Sequence, residues 1–410
     1  QIVSTYPQGE FTAFTAFLLG DVLAKKGENE NAIAQFDSIW KNPTKLKIPK
    51  DSNLISDAQL RSAQMLYQMK RYEEASNAYM AYVKDQPTGE ASTKARYGAA
   101  WAEYQNKNFE KALAIAHDLQ KESLPPDLMA GILFLNGTCS YQQKIYDDAI
   151  LYFREVIADP KAGEYRQRAW YQLAWSYYLM GKYEDVITEC GNLLQQGVEP
   201  SLNGNLHFLL AQSYAQRKDY DSALKEIMAC IQIAPEGEYA EQSHYLLADL
   251  QYRKEKFNDA GDGFERFYER YPKSSRAQES LQWAMNSRFA AKQYDRAVAV
   301  ADRLLKNYPD LASKTDVLYR KALAQYQLKN YDDALAAMQS ILDQPKETER
   351  KADAMYWRAF ILDTKNDKKQ AAAAYTELLK QYPTYGDQTE IRLRKALCEY
   401  ELKEYAEAYR

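Results

Sequence analysis

Three histidines, at 117, 207 and 244, and four cysteines, at 139, 190, 230 and 398, are the chain's whole stock of soft metal ligands and thiol nucleophiles. The cysteines are too far apart for a zinc cluster or a disulfide framework, so buried free thiols are expected. His207 and His244 stand 37 residues apart, and Trp170 precedes His207 by the same interval. That spacing predicts one column on a helix surface with the two imidazoles stacked, not a metal centre. Adjacent carboxylates such as Asp147-Asp148 and Asp332-Asp333 are of the right type for acid and base work. Each pair, however, sits where a helix begins, and there a negative charge meets the exposed amides of the first turn. A glycine-rich phosphate loop, a His-Glu-x-x-His stretch and a nucleophile elbow are all missing from the sequence. The expectation is a protein that is not an enzyme and needs no cofactor.

What remains is non-covalent chemistry, and the chain is rich in groups for it, with 34 Tyr, 13 Phe and 6 Trp. Many of these fall at i, i+4 and i+7, which is one stripe of a helix. The stripe reads Tyr97, Trp101, Tyr104; Phe134, Tyr141; Tyr171, Trp175, Tyr178; Phe208; Tyr245, Tyr252; Phe289; Tyr319, Tyr326; and Tyr356, Phe360. Aromatic rings in a row cover apolar side chains of an extended peptide or stack on sugars, with hydroxyls and nearby Gln68, Gln105, Gln142, Gln216 and Gln327 as hydrogen-bond partners. A protein or extended peptide is the partner expected first, and a glycan is the alternative. Trp101 and Trp175 stand out because packing does not require Trp there. Nucleic acid is not expected, because 53 Lys+Arg against 57 Asp+Glu leaves a net charge of -4 with no basic stripe.

The elements that carry this stripe follow from a strict period. Tyr72, Phe109, Tyr146, Tyr183, Tyr220, Phe257, Tyr294, Tyr331 and Tyr405 recur at 37 residues or twice that, with Lys368 in the one aromatic gap. A repeat of this length is one supersecondary unit that buries its apolar face only by stacking on its neighbours. Three residues after each aromatic comes Ala or Val, as at Ala75, Ala112 and Val186; twelve residues earlier comes Gly or Ala, as at Ala63, Ala100 and Gly137, with Met285 the exception. Small residues in both columns predict a close crossing of two helices, A and B. Pro87, Pro235, Pro272, Pro309 and Pro383 predict where B helices end. The fold class expected is all-α: a right-handed superhelical solenoid of about ten antiparallel hairpins. Its divisions are the end of a preceding repeat (1–9), a first repeat with an insertion at 41–51 (10–52), and repeats at 53–89, 90–126, 127–163, 164–200, 201–237, 238–274, 275–311, 312–348 and 349–385, then a partial one at 386–410.

In the run Tyr245-Leu246-Leu247-Ala248 with Tyr252, Phe257, Ala260, Phe264, Phe267 and Pro272, small residue, aromatic, Ala, bulky residue and Pro stand in order. This resembles the tetratricopeptide repeat family, whose unit is about 34 residues. The resemblance implies A helices lining a concave side along which ligands lie. The Lys and Asn residues with which some members clamp a terminal carboxylate are not present at the matching positions. Tyr271-Pro272, Tyr308-Pro309 and Tyr382-Pro383 are similar to linkers of bacterial envelope members of the Tol-Pal coordinator and outer-membrane barrel-assembly type. A periplasmic or cell-envelope location is therefore expected, with the cytoplasm as the alternative.

Phe11–Ala24 is interrupted by Thr12, Thr15, Gly20 and Asp21, so no transmembrane segment is expected in this fragment. Tyr6-Pro7 reads as the closing turn of an earlier repeat and residues 405–410 as the start of an unfinished helix, so the array is expected to continue at both ends. Phe11, Phe14 and Phe17 are then expected to face that earlier repeat. The insertion, with Lys41, Lys45, Lys47 and Lys50, is expected to be a solvated loop, and the hairpin holding Lys368 to pack loosely.

Overall fold

The computed structural model describes residues 10–45, 48, 52–345 and 349–409. The closing turn expected at 1–9, and Lys47, Pro49 and Lys50 of the insertion, lie outside the described residues. Among the described residues there are 22 helices and no strand. They belong to two compact units, 1–198 and 199–410. The first holds α1 (Glu10–Lys25), α2 (Asn29–Trp40), α3 (Asn53–Gln68), α4 (Tyr72–Asp85), α5 (Glu90–Gln105), α6 (Phe109–Gln120), α7 (Pro126–Gln142), α8 (Tyr146–Ala158), α9 (Glu164–Leu179) and α10 (Tyr183–Gln195). The second holds α11 (Pro200–Gln216), α12 (Tyr220–Ile233), α13 (Ala240–Arg253), α14 (Phe257–Arg270), α15 (Ala277–Ala290), α16 (Tyr294–Asn307), α17 (Lys314–Gln327), α18 (Tyr331–Leu342), α19 (Glu349–Thr364), α20 (Lys368–Gln381), α21 (Gln388–Glu401) and α22 (Tyr405–Tyr409). Odd numbers are A helices and even numbers B helices. Inside each unit a helix packs on the next, and A helices also touch the following A helix, as α7 does α9 and α15 does α17.

Apart from α2 and α20, B helices begin at the periodic aromatic, and several end two residues before a proline, at Asp85, Ile233, Arg270, Asn307 and Gln381. Proline lacks the amide a helix needs and forces the preceding residue out of helical conformation. The turn between A and B is equally regular. Lys70, Lys107, Lys144, Lys218, Lys292, Lys329 and Lys403 all have φ near +60°, as do Glu255 and Asn366. The Lys107 amide donates to the Tyr104 carbonyl and the Asn108 amide to the Glu103 carbonyl, both at 2.9 Å. This is the Schellman closure, which satisfies the last carbonyls of an A helix. Side chains staple the same turn: Glu103 accepts from Asn108 (2.7 Å), and Gln325 from Asn330 (2.9 Å). In α15 the equivalent residue is Arg288, fully buried, which donates to Gln293, the Asn258 carbonyl, Glu265 and Asp262. Gly261 makes room for it, since a Cβ there would lie 2.8 Å from the guanidinium.

The crossing of A and B rests on matched volumes. A Cβ on Gly20 would lie 2.7 Å from the Phe36 ring, and one on Gly137 would lie 2.6 Å from the Phe153 ring. The small residue of helix A thus faces the side chain sixteen positions later on helix B. Met285, the exception in the small column, shares its core cluster with Ala301, sixteen positions on. At these three crossings a large side chain on one helix meets glycine or alanine on the other. Overfilling such a crossing costs about 1 to 3 kcal/mol.

The hairpin of Lys368 is not loose. Elsewhere an aromatic of helix A meets the periodic aromatic five residues on, as in Tyr67–Tyr72 (5.4 Å between ring centroids), Tyr104–Phe109 (5.7 Å) and Tyr326–Tyr331 (5.8 Å). In the Lys368 hairpin both partners change together: Lys368 Nζ donates to Asp363 at 2.7 Å and lies 3.2 Å from Glu401. The insertion is not wholly solvated either, because Ile48 is buried in the core of the first unit and its amide donates to the Pro43 carbonyl. Phe11 and Phe14 are exposed on α1, and Phe17 packs against Phe36 with ring centroids 5.5 Å apart.

Two outcomes test these constraints. Gly137→Ala should lower the melting temperature by an amount equivalent to about 1 to 3 kcal/mol, and Phe153→Leu in the same chain should recover part of that loss. Strict additivity in the double-mutant cycle would place the crossing elsewhere. Lys329→Gly should raise stability by up to about 1 kcal/mol, because glycine enters the left-handed region without strain. A fall in the denaturation midpoint would contradict the turn geometry.

Candidate functional site

No member of the aromatic stripe is fully exposed. Phe134, Phe208 and Tyr245 are buried and are corrected here from binding residues to packing residues. Phe134 is enclosed by Phe153, Tyr165 and the guanidinium of Arg168, which stands 4.9 Å from its ring. Phe208 stacks on Tyr239 at 4.4 Å, and Tyr245 lies under Arg276 at 4.6 Å. The other members are half-buried. Tyr104, Tyr141, Tyr178, Tyr252, Phe289 and Tyr326 give one edge to the turn-closing aromatic pair. In the second unit a guanidinium from the next repeat covers several rings: Arg320 over Phe289 (4.9 Å), Arg350 over Tyr319 (4.7 Å) and Arg394 over Phe360 (4.8 Å). Tyr356 and Phe360 stack on each other at 6.2 Å. In the first unit Trp175 lies between Tyr171 (6.3 Å) and Tyr178 (5.4 Å). Cation–π contacts of this kind contribute about 0.5 to 2 kcal/mol according to exposure.

The stripe opens into a pocket around Trp101, of about 410 Å³. Tyr97 and Trp101 line it together with Tyr67, Tyr79, Gly98, Gln105, Tyr165, Lys94 and Arg168. Trp101 is half-buried, with Tyr97 at 6.3 Å and Tyr104 at 5.5 Å in edge-to-face contact. One wall closes through the hydroxyls of Tyr97 and Tyr165, 3.0 Å apart although 68 residues separate them. They meet over Gly131 of α7, where a Cβ would be 2.3 Å from the Tyr97 hydroxyl oxygen. Burial first, and the bond to Tyr165 second, push the Tyr97 phenol well above its ordinary range. Burial pushes Tyr79 up to about 12. Both stay neutral hydrogen-bonding groups at any physiological pH. Two cations stand at this pocket. Lys94 is paired with Glu90, whereas Arg168 spends its charge on the rings of Phe134 and Tyr165. Tyr67 stands one period before Tyr104, but the stripe does not reveal Tyr79, Tyr165 and Arg168, which occupy other positions. The available signal is Gly131, a glycine inside an A helix at the column where Lys94 and Arg168 stand.

The reactive side chains are placed otherwise. All four cysteines are buried and free, and burial pushes Cys139 and Cys398 each up to about 12. Among the described residues no group of three or more His, Cys, Asp or Glu side chains comes together as a metal site. The imidazoles of the shared column each have their own environment and are not the stacked pair expected from their spacing: His207 Nδ1 is 2.6 Å from Glu226, and His244 lies against Tyr271 at 6.0 Å. No helix among the described residues is long and apolar enough to cross a membrane.

Profiles described as tetratricopeptide repeat match residues 60–127, 204–236, 242–274 and, in overlapping stretches, 285–409, together more than half of the chain. No curated protein matches the chain. Among solved structures, a tetratricopeptide repeat protein from Parabacteroides merdae is 14% identical, with a TM-score of 0.39 over 66% of this chain and 98% of that one. The apo form of RapI is 14% identical, with a TM-score of 0.49 over 78% of this chain and 98% of that one. YrrB, described as a tetratricopeptide protein with an unusual peptide-binding site, is 16% identical, with a TM-score of 0.37 over 50% of this chain and 95% of that one.

The pocket wall has a direct test. Gly131→Ala should separate Tyr97 from Tyr165 and lower the melting temperature, because the added methyl overlaps a buried hydroxyl pair. Adding Tyr97→Phe, which removes the overlapping oxygen, should recover part of the loss. No change in melting on Gly131→Ala would show that the two tyrosines do not meet across α7.

Proposed function

Since this chain belongs to the tetratricopeptide repeat family, we propose that it is a non-enzymatic scaffold that holds a protein partner by an extended segment. The single observation that carries this reading is the tyrosine-walled pocket around Trp101. An apolar or aromatic side chain of the segment enters between Tyr67, Tyr97 and Trp101, where burial of a ring contributes about 1.5 to 3 kcal/mol. Gln105 offers its amide to the segment's backbone, and Arg168 favours a carboxylate beside the inserted side chain. The pocket is pre-formed by helix packing, so most of the ordering cost falls on the segment. The Tyr-Pro linkers at Tyr271-Pro272, Tyr308-Pro309 and Tyr382-Pro383 support a setting in a bacterial envelope assembly.

Peptide-array binding followed by calorimetry tests the reading. Trp101→Ala should weaken a captured aromatic-acidic peptide at least tenfold, about 1.4 kcal/mol, without loss of helicity. Retained affinity in Trp101→Ala, or tryptophan quenching by soluble glycans where peptides give none, would overturn it.

A further inference from the structure

Trp170 and His207 occupy the same position of successive A helices, and each meets the glutamate nineteen residues later on helix B. Trp170 Nε1 donates to Glu189 at 2.7 Å, and His207 Nδ1 is 2.6 Å from Glu226. In the next repeat the aromatic position is His244 and the acidic position is Gly263. The glutamate is gone, α13 approaches so closely that a Cβ on Gly263 would lie 2.9 Å from the Ala248 methyl, and a cavity of about 520 Å³ stands beside this contact. His244 lines it, and its Nε2 is buried with no hydrogen-bond partner. From the same wall of α14 come Arg266 and Arg270. Arg266 is exposed, gives its Nε to the Asp262 carbonyl and has no carboxylate within ion-pair distance among the described residues. Arg270 leans on Glu236. Glu269 is engaged with Arg303 at 3.5 Å. Ile231 and Leu247 supply apolar surface beside these charges.

We propose that this pocket between α12, α13 and α14 binds the carboxylate of a glutamate on a partner protein, which supplies the negative charge that this repeat lacks. The charge settles on Arg266 and Arg270 in charge-assisted hydrogen bonds, which are shorter and stronger than neutral ones. The methylenes of the incoming side chain lie against Ile231 and Leu247. The site is separate from the pocket around Trp101, so either stands if the other fails.

In the free protein, burial first and then Arg270 and Arg266 hold the His244 imidazole below its ordinary range, against Glu236. A bound carboxylate reverses the balance, so the imidazole titrates at higher pH. The experiment uses the full chain, a capped dodecapeptide of alternating Glu and Leu, its Gln-Leu counterpart, and inorganic phosphate. Calorimetry should show binding of the Glu peptide and not of the Gln peptide. The histidine Cε1–H resonance that His244→Gln removes should shift its titration upward on adding the Glu peptide. Arg266→Gln should weaken that peptide at least tenfold with an unchanged melting temperature, and Trp101→Ala should leave its affinity as it was. Equal binding of both peptides, a still His244 resonance, or phosphate binding without peptide binding would each overturn the proposal.

Discussion

The distance between paired helices governs everything else in this molecule. It is set where an A helix presents Gly, Ala or, once, Met to the side chain sixteen residues later. Gly20 and Gly137 are opposed by phenylalanine rings, and Met285 shares its cluster with Ala301. At these places a small and a large residue offset one another, because close-packed cores resist both gaps and overfilling, whereas Ala100 and Ala116 are both small.

The same economy explains why so many aromatics leave so little open surface. A ring on the A stripe already has an edge on the turn-closing partner, a guanidinium over its face, or both. Rings covered in this way stabilise the stack. Gly131 lets the Tyr97 and Tyr165 hydroxyls meet over α7 and close one pocket wall, and Gly263 lets α14 approach Ala248 closely, with the cavity of His244 beside it. The pocket around Trp101 is walled by phenols and an indole, and the cavity of His244 by guanidinium groups.

Helix type, helix ends and the period were legible in the amino-acid order, because each depends on local chemistry: proline termination, an acidic first turn and one apolar face repeating every 37 residues. The left-handed turn was less legible. Lysine usually holds it, and nothing in a lysine announces positive φ. Exchanges made in pairs were also hidden. Lys368 looks like a lost aromatic until Asp363 is found beside it, and Met285 looks like an intrusion until Ala301 is seen in the same cluster. Trp101 was recognisable as a candidate because indole exceeds what packing needs. Tyr165 and Arg168 were not, since contact over 68 residues depends on how three A helices stack.

The linear chain by itself determined an all-α repeat, the smallness of most of its crossings and the absence of the usual catalytic motifs, since these follow from periodicity and residue type. Only the tertiary structure decided which aromatics are core and which remain reachable. Phe134, Phe208 and Tyr245 share a column with the pocket-lining Tyr97, yet they are buried, because neighbouring repeats cover them with Tyr165, Tyr239 and Arg276. Accessibility belongs to the packing of several helices at once, and a single-helix pattern carries no measure of what the next repeat places on top of it.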